Sequence, residues 1–381
     1  MIYIPPYIES LKTYKAGKPI EELARERNLT RIVKLASNEN PLGPSPKAIA
    51  AVESALGKLH RYVDPLAADL VNALARKYDV RPEHIVTGHG TDALLAYAVG
   101  AFSEPGDELL TCAGSFIGIY VSTLKQGRVL KKIPLKDYAF DLDAILDAVT
   151  PRTRIIFLAN PNNPTGTMFN REALENFMSR VPDDVLVILD EAYYTYAERH
   201  PGYPQGVSYW YDNMVVMRTL SKAYGLGGLR IGFAVGPDRI INALYKMKLP
   251  FEPNLLAQVA AAAALDDDDF LEKTVKTNER SLAAIRKRLT DLGIRYVDSV
   301  ANFIMMLMPS EEFAASFFEN CLHRGLILRH VAPFGVPEGV RINSGTDDET
   351  AFAMNIIEQV WTERTATTRT HNHGDIYQST T

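Results

Sequence analysis

The chain reads as an α/β protein, with a mostly parallel central sheet flanked by helices and a smaller α+β domain beside it. Three observations predict this. Short apolar runs alternate with helical stretches between residues 84 and 236, the pattern of a sheet covered on both faces. Three of those runs end in polar residues that no core requires, as strands do where an open sheet presents a ligand site. The length, 381 residues, suggests two domains at roughly 100–200 residues per domain.

The elements follow in order. Residues 1–37 form an N-terminal arm with charges at helical spacing in PIEELARERN, and LASNENPLGPSP is a loop rich in Asn and Pro. Asp64 to Tyr78 has the periodicity of an amphipathic helix. Strands are expected at HIVTG (84–88), DELLTCA (107–113), RIIFLAN (154–160), VLVILDEA (185–192), MVVMRT (214–219) and IGFAVG (231–236), with helices such as REALENFMSRV between them. One long helical pattern covers 256–292. RYVDSVANFIMMLM and FFENCLHRGLILRH then read as strand, helix and strand. The large domain is placed at 38–265 and the small one at 266–363 together with the arm. Residues 364–381 are polar and unpatterned, a flexible tail, and its His371 and His373 are too isolated to act as ligands. No metal site is expected.

Composition narrows the function. Apolar residues are 46% and charged residues 23%, ordinary values for a globular chain. The net charge of −5 disfavours nucleic-acid binding, which needs a concentrated basic surface. Cys112 and Cys321 are too few for a disulfide framework or a structural zinc site and fit a reducing cytoplasm. MIYIPPYIES has neither the basic nor the apolar region of a signal peptide. The longest apolar run, Leu255 to Leu265, is too short to span a bilayer.

The chemistry sits at the strand ends. RIIFLA runs into Asn160-Pro161-Asn162-Asn163-Pro164-Thr165-Gly166, VLVIL into Asp190-Glu191-Ala192-Tyr193, and MVVM into Arg218-Thr219-Leu220-Ser221-Lys222. Taken singly, these read as a turn, a helix cap and a solvated lysine. Their shared placement lets Asn163, Asp190, Tyr193 and Lys222 converge on one site. Gly88-His89-Gly90-Thr91-Asp92 opens an apolar helix, and unpaired N–H groups at a helix start suit a phosphate. Arg230 lies eight residues beyond Lys222 across a Gly-rich stretch, and its guanidinium is suited to gripping the same anion. No G-x-G-x-x-G follows a first strand, which disfavours a nicotinamide oxidoreductase.

Asn-Pro-Thr-Gly, then Asp-x-x-Tyr, then Ser-Lys with Arg eight residues on, resembles the fold-type-I pyridoxal-phosphate (PLP) aminotransferase superfamily. KPIEELARERNLTRIVKLASNENPLGPSP, RYVDP and GLILRHVAPFGVPEGVRINSGT are similar to its histidinol-phosphate aminotransferase branch, from about residue 5 to 362. The resemblance implies a transaminase of histidine biosynthesis that uses PLP and takes histidinol phosphate and glutamate or 2-oxoglutarate. It implies that Lys222 carries the cofactor and moves the proton, and that Asp190 pairs with the pyridine nitrogen. By the same resemblance, Asn163 and Tyr193 would hold the phenolic oxygen, and Phe116 would stack on the ring. It further implies that Gly90, Thr91, Asp92, Thr219, Ser221 and Arg230 hold the phosphate, joined by Tyr62 from the partner in a homodimer. It also implies that Arg341 binds the substrate's anion, with Arg329 as a second contact, and that Asn38 and Tyr14 line the entrance.

The chain departs from that pattern at His89, Ala93, Val63 and Glu252. These leave the cofactor residues in place and bear on the substrate. Glu252 reads as a solvated loop charge. The alternatives are an aromatic amino acid aminotransferase, a PLP-dependent decarboxylase of a phosphorylated amino acid, and a non-catalytic PLP-binding module.

Overall fold

A computed structural model describes residues 2–11 and 29–374. The arm pattern PIEELARERN and Tyr14 lie outside the described residues.

After a short helix, α1 (Pro6–Glu9), strand β1 (Val33–Lys34) leads to helices α2 (Pro46–Ala55) and α3 (Ala68–Tyr78). Seven strands follow: β2 (Ile85–Gly88), β3 (Glu108–Cys112), β4 (Val129–Ile133), β5 (Thr153–Ala159), β6 (Leu186–Asp190), β7 (Met214–Thr219) and β8 (Gly232–Val235). They form one sheet in the order β2-β8-β7-β6-β5-β3-β4. Strands β4, β3, β5, β6 and β7 are mutually parallel, and β8 runs antiparallel to both β7 and β2. The helices between them are α4 (Gly90–Phe102), α5 (Ile117–Leu124), α6 (Leu142–Asp147), α7 (Arg171–Met178), α8 (Tyr194–Ala197) and α9 (Asp238–Met247).

Side-chain alternation decides which helix covers which face. Leu110, Ile156, Leu158, Val187, Leu189 and Val216 pack with residues of α2, α3, α6 and α7 and with α10 (Leu255–Leu265). Their neighbours Leu109, Ile155, Phe157, Ile188, Val215 and Met217 pack with α4, α5 and α9. The central strands are buried on both sides, which explains their continuous apolar runs.

Beyond the sheet come α11 (Asp268–Asp291), β9 (Arg295–Val297), β10 (Phe303–Leu307), α12 (Glu311–His323), β11 (Leu326–Ile327), β12 (Arg329–His330), β13 (Gly339–Asn343) and α13 (Asp347–Gly374). A second, antiparallel sheet has the order β12-β13-β10-β9. Its core joins Ile304, Met306, Phe317, Ile342 and Ile357 to Val33 and Leu35. Parallel pairing of β1 with β11 attaches the start of the chain to this C-terminal body.

Three expectations differ in detail. The 256–292 pattern is two helices, broken at Asp266 and Asp267, whose backbone leaves helical geometry. Asp268 and Asp269 then lie in the first turn of α11, where carboxylates favour the positive helix end. The helix expected from Asp64 starts at Ala68, because the Asp64 carboxylate accepts hydrogen bonds from the Leu66 and Ala68 N–H groups and makes a turn. The tail expected to be unpatterned from residue 364 continues α13 to Gly374. A helix already anchored by Ala353, Ile357 and Val360 extends at little cost once nucleated.

Candidate active site

The parallel strands β5, β6 and β7 are adjacent, so their carboxyl ends deliver three polar segments side by side. Asn163 follows β5, Asp190 ends β6, and Ser221 and Lys222 follow β7. Asn163, Asp190, Tyr193 and Ser221 are buried.

Asp190 is 4% exposed, and burial pushes its carboxyl up to about 7 against the Ala192 N–H bond that stabilises the anion. No ion pair reaches it among the described residues. A buried acid so placed fits a protonated ring nitrogen, the partner PLP would present. Lys222 donates to the Ser37 carbonyl at 3.1 Å. Enclosure by the protein and then the Arg341 charge lower its amine to about 8, so a neutral, nucleophilic fraction exists near neutral pH.

The start of α4 forms the anion end. Gly90 takes a φ of +75°, and no side chain caps the helix. Arg230 lies against it: a Cβ on Gly90 would sit 2.7 Å from Arg230 Nη2. Arg230 also donates to Asp92 Oδ2 (3.1 Å), Ser221 Oγ (3.4 Å) and the Gly227 carbonyl (3.2 Å). Thr219 Oγ1 accepts from Ser221 N (3.1 Å), holding that loop in place. Phe116 folds towards the same helix, since a Cβ on Gly118 would meet its ring at 2.4 Å and Asp92 Oδ1 at 2.9 Å. N–H groups at an uncapped helix start, with a guanidinium and a hydroxyl beside them, fit a phosphate monoester.

Arg341, on β13, is buried. It donates to Asn163 Oδ1 and, at 2.8 Å, to the Ala36 carbonyl, and no carboxylate pairs with it among the described residues. Burial, the largest influence, lowers its guanidinium to about 10, so it stays charged near neutral pH. Arg329 is its register partner on β12. Phe334 lies near both guanidinium carbons, 5.8 Å from that of Arg341 and 5.7 Å from that of Arg329. Two adjacent arginines that pair with no carboxylate among the described residues make a site for an anion.

The sequence reading missed two groups. The first is the pair of carbonyls beside Asn38: Ala36 O holds Arg341 and Ser37 O holds Lys222, while Asn38 itself, expected at the substrate entrance, is 1% exposed and donates from Nδ2 to the Tyr193 hydroxyl at 2.7 Å. Only the polar run ASNEN hinted at it. The second is the buried pair of Glu191 and Arg218, 2.7 Å apart. Each stands directly beside a residue with a site signal, Asp190 and Thr219, and carries none of its own.

Tyr62 is not brought to this site within one chain. It is 85% exposed and stacks on Phe251 with ring centroids 4.4 Å apart. Glu252 is not a loose loop charge, because the Tyr97 hydroxyl donates to it. His89 precedes α4 without capping it.

Comparison with known proteins identifies the family. The family described as aminotransferase class I and II matches residues 30–357. Histidinol-phosphate aminotransferase 2 of Carboxydothermus hydrogenoformans is 39% identical over 93% of this chain and 98% of its own length. Histidinol-phosphate aminotransferase of Anaeromyxobacter sp. is 41% identical over 91% and 95%. The crystal structure of histidinol-phosphate aminotransferase from Sinorhizobium meliloti in complex with pyridoxal-5'-phosphate superposes with a TM-score of 0.88 at 29% identity, covering 94% of this chain and 98% of that one. With a matched segment covering most of its length and a site built at the ends of the sheet's central strands, the chain belongs to the class I and II aminotransferase family.

Proposed function

We propose that this protein is a PLP-dependent transaminase that moves the amino group of L-histidinol phosphate to 2-oxoglutarate, giving imidazole acetol phosphate and L-glutamate. The observation that carries the reading is the placement of Lys222 near buried Asp190 and near Arg341, which pairs with no carboxylate among the described residues. It is supported by curated relatives at 39% to 41% identity named for this activity.

Bound PLP supplies the carbonyl that accepts the amino group and a ring that takes up the electrons of the broken C–H bond. The chain's residues do the rest. Asp190 holds the ring nitrogen protonated, Asn163 and Tyr193 hydrogen-bond the phenolic oxygen, and Phe116 packs on the ring. Arg230, Ser221, Thr219 and the N–H groups of Gly90, Thr91 and Asp92 take the phosphate. Lys222 would hold the cofactor through its amine and would serve as the base that takes the proton from the substrate carbon bearing nitrogen. Arg341, with Arg329, binds the substrate's phosphate in one half-reaction and a carboxylate of glutamate or 2-oxoglutarate in the other.

A cytoplasmic homodimer completes the reading, with Tyr62 reaching the partner's cofactor phosphate. Ile49, Leu56, Leu59, Tyr62, Leu66, Leu249 and Phe251 are all exposed. These apolar residues cluster in two segments that meet at the Tyr62–Phe251 stack, as expected of an interface. Among the described residues no helix is long and apolar enough to cross a membrane.

A second reading, transamination of aromatic amino acids, draws on Phe303 and Phe334 beside the Arg341 guanidinium, 5.1 and 5.8 Å from their ring centres. The test has two parts. Borohydride reduction of the PLP-loaded protein must fix the cofactor to Lys222; a protein that stays colourless with added PLP ends the proposal. Then kcat/KM for histidinol phosphate, with 2-oxoglutarate as acceptor, must exceed that for phenylalanine; the reverse order selects the second reading.

A further inference from the structure

We propose that Asn38 is a positioning residue for the transamination: its side-chain amide donates to the Tyr193 hydroxyl, which obliges Tyr193 to donate its own proton into the cofactor pocket. The inference deepens the PLP reading above and rests on it.

The geometry begins with the backbone. Asn38 takes a φ of +55°, a left-handed conformation that Asn, Asp and Gly tolerate better than other residues. Its N–H donates to Asn343 Oδ1 at 3.0 Å, and its carbonyl accepts from Asn302 Nδ2 at 3.2 Å. The residue is thus fastened on both sides by the C-terminal body. It is 1% exposed, so its amide is committed to the interior. Within that fixed frame Nδ2 lies 2.7 Å from the Tyr193 oxygen.

Tyr193 is equally constrained. Its ring meets Phe303 edge-on, with centroids 5.1 Å apart and planes at 83°, and it is 4% exposed. A phenol has one proton to give and lone pairs to receive with. The Asn38 amide occupies the receiving side. Among the described residues nothing accepts the Tyr193 proton. A buried hydroxyl proton without an acceptor is costly, and a phenolate oxygen entering beside Asn163 and Asp190 removes that cost. The charged groups acting on Tyr193 are Arg341 and Asp190. Arg341 is itself tied to Asn163, so one guanidinium bonds Asn163 and acts on Tyr193.

Hydrogen-bond donation to the cofactor's phenolic oxygen withdraws negative charge from it and so disfavours protonation of the nitrogen that joins the cofactor to Lys222. The visible absorption of the PLP-loaded protein therefore reports the direction of the Tyr193 proton. Asn38→Gly and Asn38→Asp both suit the left-handed backbone and keep the bonds to Asn343 and Asn302, so both should fold. Gly removes the donor. Asp replaces it with an acceptor that takes the Tyr193 proton away from the pocket.

The experiment titrates the visible band of wild type and both variants loaded with PLP, and measures PLP retained after dilution. The expected order of chromophore pKa is wild type, then Asn38→Gly about one unit higher, then Asn38→Asp about two units higher. PLP retention should fall in the same order. In a Tyr193→Phe background the three should coincide, because the phenol that transmits the effect is gone. If Asn38→Asp titrates at or below Asn38→Gly, Tyr193 already donates to residue 38 and the inference is overturned. If the differences persist without the phenol, Asn38 acts by another route and the inference is again overturned. If wild type shows no visible band with PLP, the functional reading itself fails and this inference falls with it.

Discussion

Glu191 and Arg218 offer the sharpest test of what holds the site in place. Both side chains are buried, at 0% and 3% exposure. Arg218 Nε and Nη2 approach Glu191 Oε2 at 2.8 and 2.7 Å. Glu191 Oε1 accepts from Gly206 N at 2.7 Å and lies 3.4 Å from the Tyr203 hydroxyl. The Arg218 guanidinium carbon sits 3.4 Å from the Tyr194 ring centre and 4.7 Å from that of Tyr78. Arg218→Met leaves a carboxylate in the interior with only neutral donors, and Glu191→Gln leaves a guanidinium without its anion. Each should cost about 3–5 kcal/mol, the usual penalty for orphaning a buried charge. Glu191→Leu with Arg218→Met removes both charges but strands the Gly206 donor, at about 1–3 kcal/mol; the Tyr203 hydroxyl keeps its bond to the Asn160 carbonyl at 2.6 Å. The double variant should therefore lose less than the sum of Glu191→Leu and Arg218→Met, with a coupling of at least about 2 kcal/mol. Urea unfolding of the cofactor-free protein, followed by tyrosine fluorescence and circular dichroism together, measures all four corners. Additivity within about 0.5 kcal/mol would show that the pair does not act as a unit and would refute the reasoning.

Three further outcomes follow from the site. Lys222 has its amine lowered from 10.5 to about 8, so the neutral form grows as pH rises; the rate of PLP capture should climb about tenfold per unit below pH 8 and level off above it, whereas a climb continuing to pH 10 would mean an ordinary lysine. Arg341→Ala should raise KM for both the phosphate and the dicarboxylate substrate by at least about tenfold, the loss of one charge-assisted contact; stopped-flow half-reactions check this, and a loss confined to one shows that the two anions use different groups. Mixing Lys222→Ala with Tyr62→Ala subunits should give more activity than either parent, up to about a quarter of wild type, if Tyr62 serves the neighbouring site; no gain after verified exchange places Tyr62 outside the catalytic unit.

Much of the fold was legible because burial on both faces leaves a plain signature. VLVIL and RIIFLA have no polar side that a surface element would show, and both form central strands. Strand β4, VLKKI, was missed because it lies at the sheet edge and is half-exposed, so its apolar run is broken by two lysines. The bonds of Asn38 to residues 302 and 343 span more than 260 positions. No local pattern reports contacts at such separations. Single side chains at strand ends could be read as chemistry, whereas the backbone carbonyls of Ala36 and Ser37, which hold Arg341 and Lys222, carry no residue signature at all.

That difference has a physical consequence for how the site works. Arg341 comes from the C-terminal body, and Lys222, Asn163 and Tyr193 come from the large sheet. All four meet on, or one bond from, residues 36–38. A net charge of −5 says nothing of this, because the field inside a cleft depends on which few charges are desolvated together. Here burial, and then the Arg341 charge, depress the Lys222 amine, while Lys222 donates a hydrogen bond to Ser37 O beside the Ala36 carbonyl that holds Arg341. A change in the relative position of the two bodies must therefore alter the basicity of Lys222 and the reach of Arg341 together. Under the proposed function, anion binding at Arg341 and proton transfer at Lys222 would be coupled by the backbone that both side chains lean on.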